Sequence, residues 1–189
     1  MAFYKRAEHW VFPDLEYDDV MAALDAVAAR LPLDPSRLYV TGQSAGGLMS
    51  AWIIGRTHRF AAAVVTAPVI NYVSHFLTHD LYSSYVGRYF AKLPWEDLVG
   101  HWARSPLSQV ANIATPTLII QGDRDSRTPM SEGLQLYHPL KLLDVPSALL
   151  ILPGSFHVTT RPVQIVEEHQ HMQRWFQLHE KNQDKQQEG

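Results

Sequence analysis

Apolar and polar positions fall in blocks along the chain, and the period changes from block to block. Between residues 20 and 31, Val20, Ala23, Leu24, Val27, Ala28 and Leu31 recur at helical spacing, which predicts an amphipathic helix. Asp18 and Asp19 precede it, Arg30 lies near its end and Pro32 stops it, an order that suits the helix dipole. A turn leads into residues 38–41, LYVT, a β-branched and aromatic run that reads as a strand. Glycines break the pattern at residues 42–47, and residues 48–55 resume as helix. Three further apolar runs, 61–66, 117–121 and 148–152, read as buried strands. Helical patterns over 130–143 and 163–179 separate or follow them. Near-continuous apolar strands with helices between them predict an α/β fold with a doubly wound, mostly parallel sheet covered on both faces.

Residues 71–107 do not follow this alternation. They hold Tyr72, Phe76, Tyr82, Tyr85, Tyr89, Phe90, Trp95 and Trp102. Packing under an inserted helical region is the expected use, since aromatic side chains mostly bury; lining an apolar substrate pocket is the alternative. His75 and His79 stand four apart beside Asp80, with no Glu-x-x-His arrangement to support a metal, and are expected to be a surface pair. Residues 1–13 form a leader segment in which Lys5 and Arg6 are followed by no apolar stretch, so a secretory signal is not expected. One domain is expected over 14–179. The polar tail, 180–189, is expected to fray.

Composition narrows the function. The 189 residues are 46% hydrophobic and 19% charged, which excludes disorder throughout. The net charge is −3 and no Lys/Arg cluster is present, which argues against a nucleic-acid partner. There is no cysteine, so disulfides, zinc-thiolate sites and a thiol nucleophile are excluded. The most apolar run, 60–70, is too short to span a bilayer and contains Pro68. A soluble, cytoplasmic protein with no membrane partner is expected.

Gly42-Gln43-Ser44-Ala45-Gly46 is a G-x-S-x-G motif placed after a strand and before a helix. A nucleophilic serine there projects from a sharp turn where bulky neighbours would clash, and the next backbone N–H, that of Ala45, faces a developing oxyanion. A serine hydroxyl needs a base to take its proton, and on such a fold the order is Ser, then Asp or Glu, then His. Asp123 and Asp125 both follow the third strand, and His157 follows the fourth. All lie where open α/β sheets place their sites, at the C-terminal ends of parallel strands. Either aspartate could equally be a turn residue in GDRD.

Three blocks of the chain resemble the catalytic domain of the prolyl oligopeptidase family of serine peptidases. They are DDVMAALDAV…DPSRLYVTGQSAGGLMSAWIIGRTHRFAAAVV, SPLSQVANIATPTLIIQGDRDSRTP and VPSALLILPGSFH…RPVQIVEEHQHMQRWF, in the family's order over residues 14–179. The resemblance implies the C-terminal part of an α/β-hydrolase domain. Ser44 then matches the nucleophile and His157 the base. Gly122, Asp125, Arg127 and Pro129 fit the family pattern around the acid, which selects Asp125 over Asp123. Arg127 matches a position where some members hold a substrate carbonyl, and a salt bridge propping the Asp loop is the other reading.

The resemblance implies a peptidase acting on short peptides through an acyl-enzyme, with neither metal nor cofactor. A small-ester hydrolase, or a weakly active remnant serving as a binding partner, are the alternatives. Two departures stand out. Many relatives have Gly-Gly-Ser-Tyr-Gly-Gly at the nucleophile, and no His-Gly-Gly stretch, the family's source of a second oxyanion donor, occurs in the sequence. Loss of one such donor typically costs on the order of 100- to 1000-fold in turnover. The family also carries further strands and a β-propeller upstream. The strand at 38–41 is therefore expected at an apolar edge, covered by a missing N-terminal portion or by a second copy of the chain.

Overall fold

The computed structural model describes residues 12–85 and 89–180. Most of the expected leader and nearly all of the polar tail lie outside the described residues. Four strands, β1 (Tyr39–Gln43), β2 (Ala62–Thr66), β3 (Thr117–Gly122) and β4 (Ser147–Leu152), form one parallel sheet in the order β1-β2-β3-β4. The register pairs Gln43 with Thr66, Thr66 with Ile120 and Gly122 with Leu152, so the C-terminal ends of all four strands lie along one edge. β2 and β3 are buried at every residue, as their unbroken apolar runs require.

Helices follow the strands. α1 (Asp14–Ala28) precedes the sheet, and α2 (Ala45–Ile54) connects β1 to β2. α3 (Tyr72–Thr78), α4 (Tyr82–Tyr85) and α5 (Leu98–Ala103) lie between β2 and β3, with a 3-10 turn at Pro106–Asn112. α6 (Met130–Leu142) connects β3 to β4, and α7 (Pro162–Leu178) ends the domain. One face of the sheet packs Ala63, Val65 and Ile119 against Ala51 and Ile54 of α2 and Leu136 and Leu140 of α6. α2 is apolar nearly all round and correspondingly buried. The other face sets Val64, Leu118 and Ile120 against Met172, Trp175 and Phe176 of α7, and Phe176 stacks on Tyr39 at 4.5 Å.

Two elements differ from expectation. α1 begins at Asp14, six residues ahead of its apolar stripe, because Leu15 meets only Asp18 and Asp19 three and four residues on and so starts no apolar repeat. None of its residues is buried: Val20 and Val27 remain exposed, as does Leu31 just beyond its end. Its ties to the domain include ion pairs from Arg56 to Asp14 and from Arg59 to Asp25. In the 71–107 segment the aromatics divide. Tyr72 and Phe90 pack with Leu48 and Val69 in a second small core, and Phe76 is buried nearby. Tyr82, Trp95 and Trp102 face outward.

β1 carries no second partner strand among the described residues, and β4 forms the opposite edge. Among those residues no helix is long and apolar enough to cross a membrane.

Candidate active site

Ser44 sits between β1 and α2 with φ 60° and ψ −118°, a left-handed conformation that non-glycine residues adopt only when the surroundings impose it. Its N–H donates to the Thr66 carbonyl at 3.0 Å, and its own carbonyl accepts from Leu48 N–H at 2.9 Å. The turn is thus pinned to the neighbouring strand and to the helix it opens. Gly42 permits the turn: a Cβ there would collide with the backbone of Gly46. Gly46 is different. A Cβ on it would meet nothing within 4 Å, so the second glycine of the motif is not demanded by space. Ala45 is the first residue of α2, and the first N–H groups of a helix have no acceptor within it.

Asp125 lies in the loop after β3. Its Oδ1 accepts from the N–H groups of Arg127 at 2.8 Å and Thr128 at 2.9 Å. Its Oδ2 accepts from the Thr128 hydroxyl at 2.7 Å and from His157 Nδ1 at 2.9 Å. The side chain is wholly buried. Burial alone would raise its pKa, but the hydrogen bonds from His157 and Thr128 outweigh it and hold the carboxyl below its ordinary value. Asp125 is therefore an anion at neutral pH.

His157 is carried by the loop after β4. β1 and β4 are three strand spacings apart, about 14 Å, so this loop must fold back across the ends of β3 and β2. Gly122 allows the close passage, since a Cβ there would meet the carbonyl oxygens of Ser155 at 2.5 Å and Phe156 at 2.8 Å. His157 Nε2 then stands 3.0 Å from Ser44 Oγ. With Nδ1–H donated to the Asp125 carboxylate, Nε2 is left unprotonated and accepts the Ser44 hydroxyl proton. The structure thus brings Ser44, His157 and Asp125 into one hydrogen-bonded line.

The rival acid, Asp123, is occupied elsewhere: its Oδ1 accepts from Gly154 N–H at 2.6 Å and braces the two loops. Arg127 forms the salt bridge that was one of its two readings, Nε to Asp80 Oδ1 at 2.6 Å and Nη2 to Asp80 Oδ2 at 3.3 Å. Hydrogen bonding from Arg127 keeps the Asp80 carboxyl below its usual value.

Several supporting residues left no mark in the sequence reading. Thr128 donates to Asp125 and lies 3.2 Å from His157 Nδ1. Gln43 donates to the His157 carbonyl at 2.8 Å, and buried Gln121 to the Thr128 carbonyl at 2.8 Å. His75 and His79 are not a surface pair: both are buried, their rings stack at 4.4 Å, and His75 reaches the Arg127 carbonyl at 2.9 Å. A signal for this existed, because Tyr72, His75, Phe76 and His79 fall on one helical face. Among the described residues, no group of three His, Cys, Asp or Glu side chains is placed to hold a metal ion.

Known proteins resemble this chain in sequence and in fold. The uncharacterized peptidase YuxL of Bacillus subtilis is 38% identical over 168 residues, 87% of this chain and 26% of that protein. An acylamino-acid-releasing enzyme of Oryza sativa is 29% identical over 174 residues, 87% of this chain and 22% of that protein. Among solved structures, the acylaminoacyl peptidase of Pyrococcus horikoshii superposes with a TM-score of 0.82 at 21% identity, over 92% of this chain and 28% of that one; it establishes the shared α/β-hydrolase fold. The chain therefore spans about a quarter of the length of the relatives it matches. The sequence profile of the prolyl oligopeptidase family matches residues 5–183 in one piece, across the serine turn, the acid loop and the histidine loop alike, and the chain belongs to that family.

Proposed function

We propose that this chain is a serine peptidase domain that hydrolyses peptide bonds of short peptides. The observation that carries the reading is the 3.0 Å approach of His157 Nε2 to Ser44 Oγ, with Asp125 behind the ring at 2.9 Å. Ser44 Oγ attacks the scissile carbonyl while His157 takes its proton. Asp125 holds the imidazole in the required tautomer and stabilises its cation. The Ala45 N–H donates to the oxyanion, where charge develops at a helix N-terminus. His157 then gives the proton to the leaving amine. In the second half, water attacks the acyl-enzyme with His157 again as base.

Arg127, at the mouth of the acid loop, is assigned a substrate carbonyl in this reading, with Asp80 fixing the guanidinium. The names of the relatives, acylamino-acid-releasing enzymes among them, support a peptide substrate. No step requires a metal or an organic cofactor. The reading further holds that another strand, from an N-terminal portion or from a second copy, pairs along the outer edge of β1. A cytoplasmic location fits the cysteine-free composition.

A side-by-side rate comparison tests the substrate class. A peptide anilide and a p-nitrophenyl ester are offered to the wild type and to Ser44→Ala. Hydrolysis of both, lost in the variant, is expected. Ester turnover with no anilide cleavage would replace the peptidase by an esterase.

A further inference from the structure

The peptide unit between Arg127 and Thr128 is gripped at both ends. Its N–H donates to Asp125 Oδ1 at 2.9 Å, and its carbonyl oxygen lies 2.9 Å from His75 Nε2. A carbonyl only accepts, so His75 carries its proton on Nε2 and donates. Rotation of this peptide plane would break both bonds together. The plane cannot turn without breaking one of the hydrogen bonds that hold the acid behind His157.

The donor stands on a fixed element. α3 is tied to α6, the helix that leaves the acid loop, through the buried carboxylate of Glu132. Glu132 Oε2 accepts from Ile70 N–H at 2.7 Å and Asn71 N–H at 2.9 Å, and Oε1 accepts from the Ser74 hydroxyl at 2.9 Å. The His75 ring is fully buried and lies flat on His79. Just beyond α3, Asp80 N–H donates to the Ser126 carbonyl at 3.0 Å, a second strap on the same loop. An imidazole is costly to bury, and a phenyl ring would fill the space without that cost; what the imidazole adds is the N–H.

We infer that His75 is a positioning residue: its buried N–H fixes the Arg127–Thr128 peptide and so holds Asp125 in line with His157. This rests on the reading of Ser44, His157 and Asp125 as the proton relay. Burial, reinforced by neighbouring His79, pushes the His75 ring down to about 4, so it remains a neutral donor at neutral pH.

The test compares His75→Phe, which keeps a ring and removes the donor, with His75→Gln, whose amide can donate from near the Nε2 position. Two quantities are read on the full chain: the downfield proton resonance of His157 Nδ1–H on Asp125, and the rate at which a fluorophosphonate labels Ser44. His75→Phe is expected to lose the resonance and to label about 10- to 100-fold more slowly, the usual effect of a misplaced catalytic group, while His75→Gln recovers both to within about threefold. If His75→Phe does not fold, His75→Asn replaces it, since its shorter amide does not reach the carbonyl. Equal behaviour of the donor and non-donor variants, or a lowered melting temperature with both readouts intact, overturns the inference. A wild type that neither labels nor shows the resonance overturns the relay and the inference with it. A wild type that labels no faster than His75→Phe overturns the positioning role alone.

Discussion

Gln43 Nε2 donates to the carbonyl oxygen of His157 over 2.8 Å, so the residue before the nucleophile also holds the loop that carries its base. The two are 114 positions apart in the chain. Replacing Gln43 by Ala removes the tether and leaves the three relay side chains in place. The fluorophosphonate labelling rate of Gln43→Ala is expected to fall about tenfold, because a loosened loop spends less time in the reactive geometry. Gln43 is exposed, so urea unfolding should shift by no more than about 0.5 kcal/mol.

The two glycines of the motif should respond in opposite ways. Gly42→Ala drives a methyl into the Gly46 backbone and is expected to cost about 3 kcal/mol or more, beyond ordinary overpacking because backbone cannot swing aside. Gly46→Ala enters open space within α2 and is expected to be neutral or stabilising by up to about 1 kcal/mol. Melting temperatures of the two variants check the contrast.

Most of the architecture was legible before any coordinates. β2 and β3 announced themselves because a strand buried on both faces must be apolar throughout, and the site residues stood just beyond strand ends. The remainder was hidden for a physical reason. Gln43, Gln121 and Thr128 act through hydrogen bonds within or to the acid and histidine loops, and such contacts impose no local period. The start of α1 leaves no repeat because Leu15 is followed by Asp18 and Asp19 on its own face, and Glu132 is hidden because one buried carboxylate among polar neighbours looks like any helix surface. The exposed apolar residues of α1 show the converse, a helical stripe that the described residues leave uncovered.

Glu132 should distinguish a buried charge from a buried acceptor. Burial pushes its carboxyl up, against the pull of N–H groups from Asn71 and Ile70 and donors on Ser74 and Gln135. Glu132→Gln keeps an oxygen for the two backbone N–H groups and is expected to cost about 1 kcal/mol or less. Glu132→Ala strands them in the interior and is expected to cost about 2–4 kcal/mol. Denaturant titration at neutral pH separates the two.

Acid should destabilise the fold partly through His75. Its folded-state value, about 4, lies below the 6.5 of an ordinary histidine, so between those values the unfolded chain binds the extra proton. This contribution to stability is complete above pH 6.5 and is lost as pH falls toward 4, a change on the order of 3 kcal/mol. Burial pushes His79 and His101 the same way. His75→Gln should therefore lose less stability than wild type between pH 7 and pH 5, measured by urea unfolding. An equal loss would place the acid sensitivity elsewhere.

The activation of Ser44 is read most directly by a fluorophosphonate probe and intact-mass measurement. One adduct per wild-type chain is expected, absent in Ser44→Ala and nearly absent in His157→Ala. A wild type that takes no adduct, or an adduct that persists in Ser44→Ala, would contradict the assignment of Ser44 as the nucleophile.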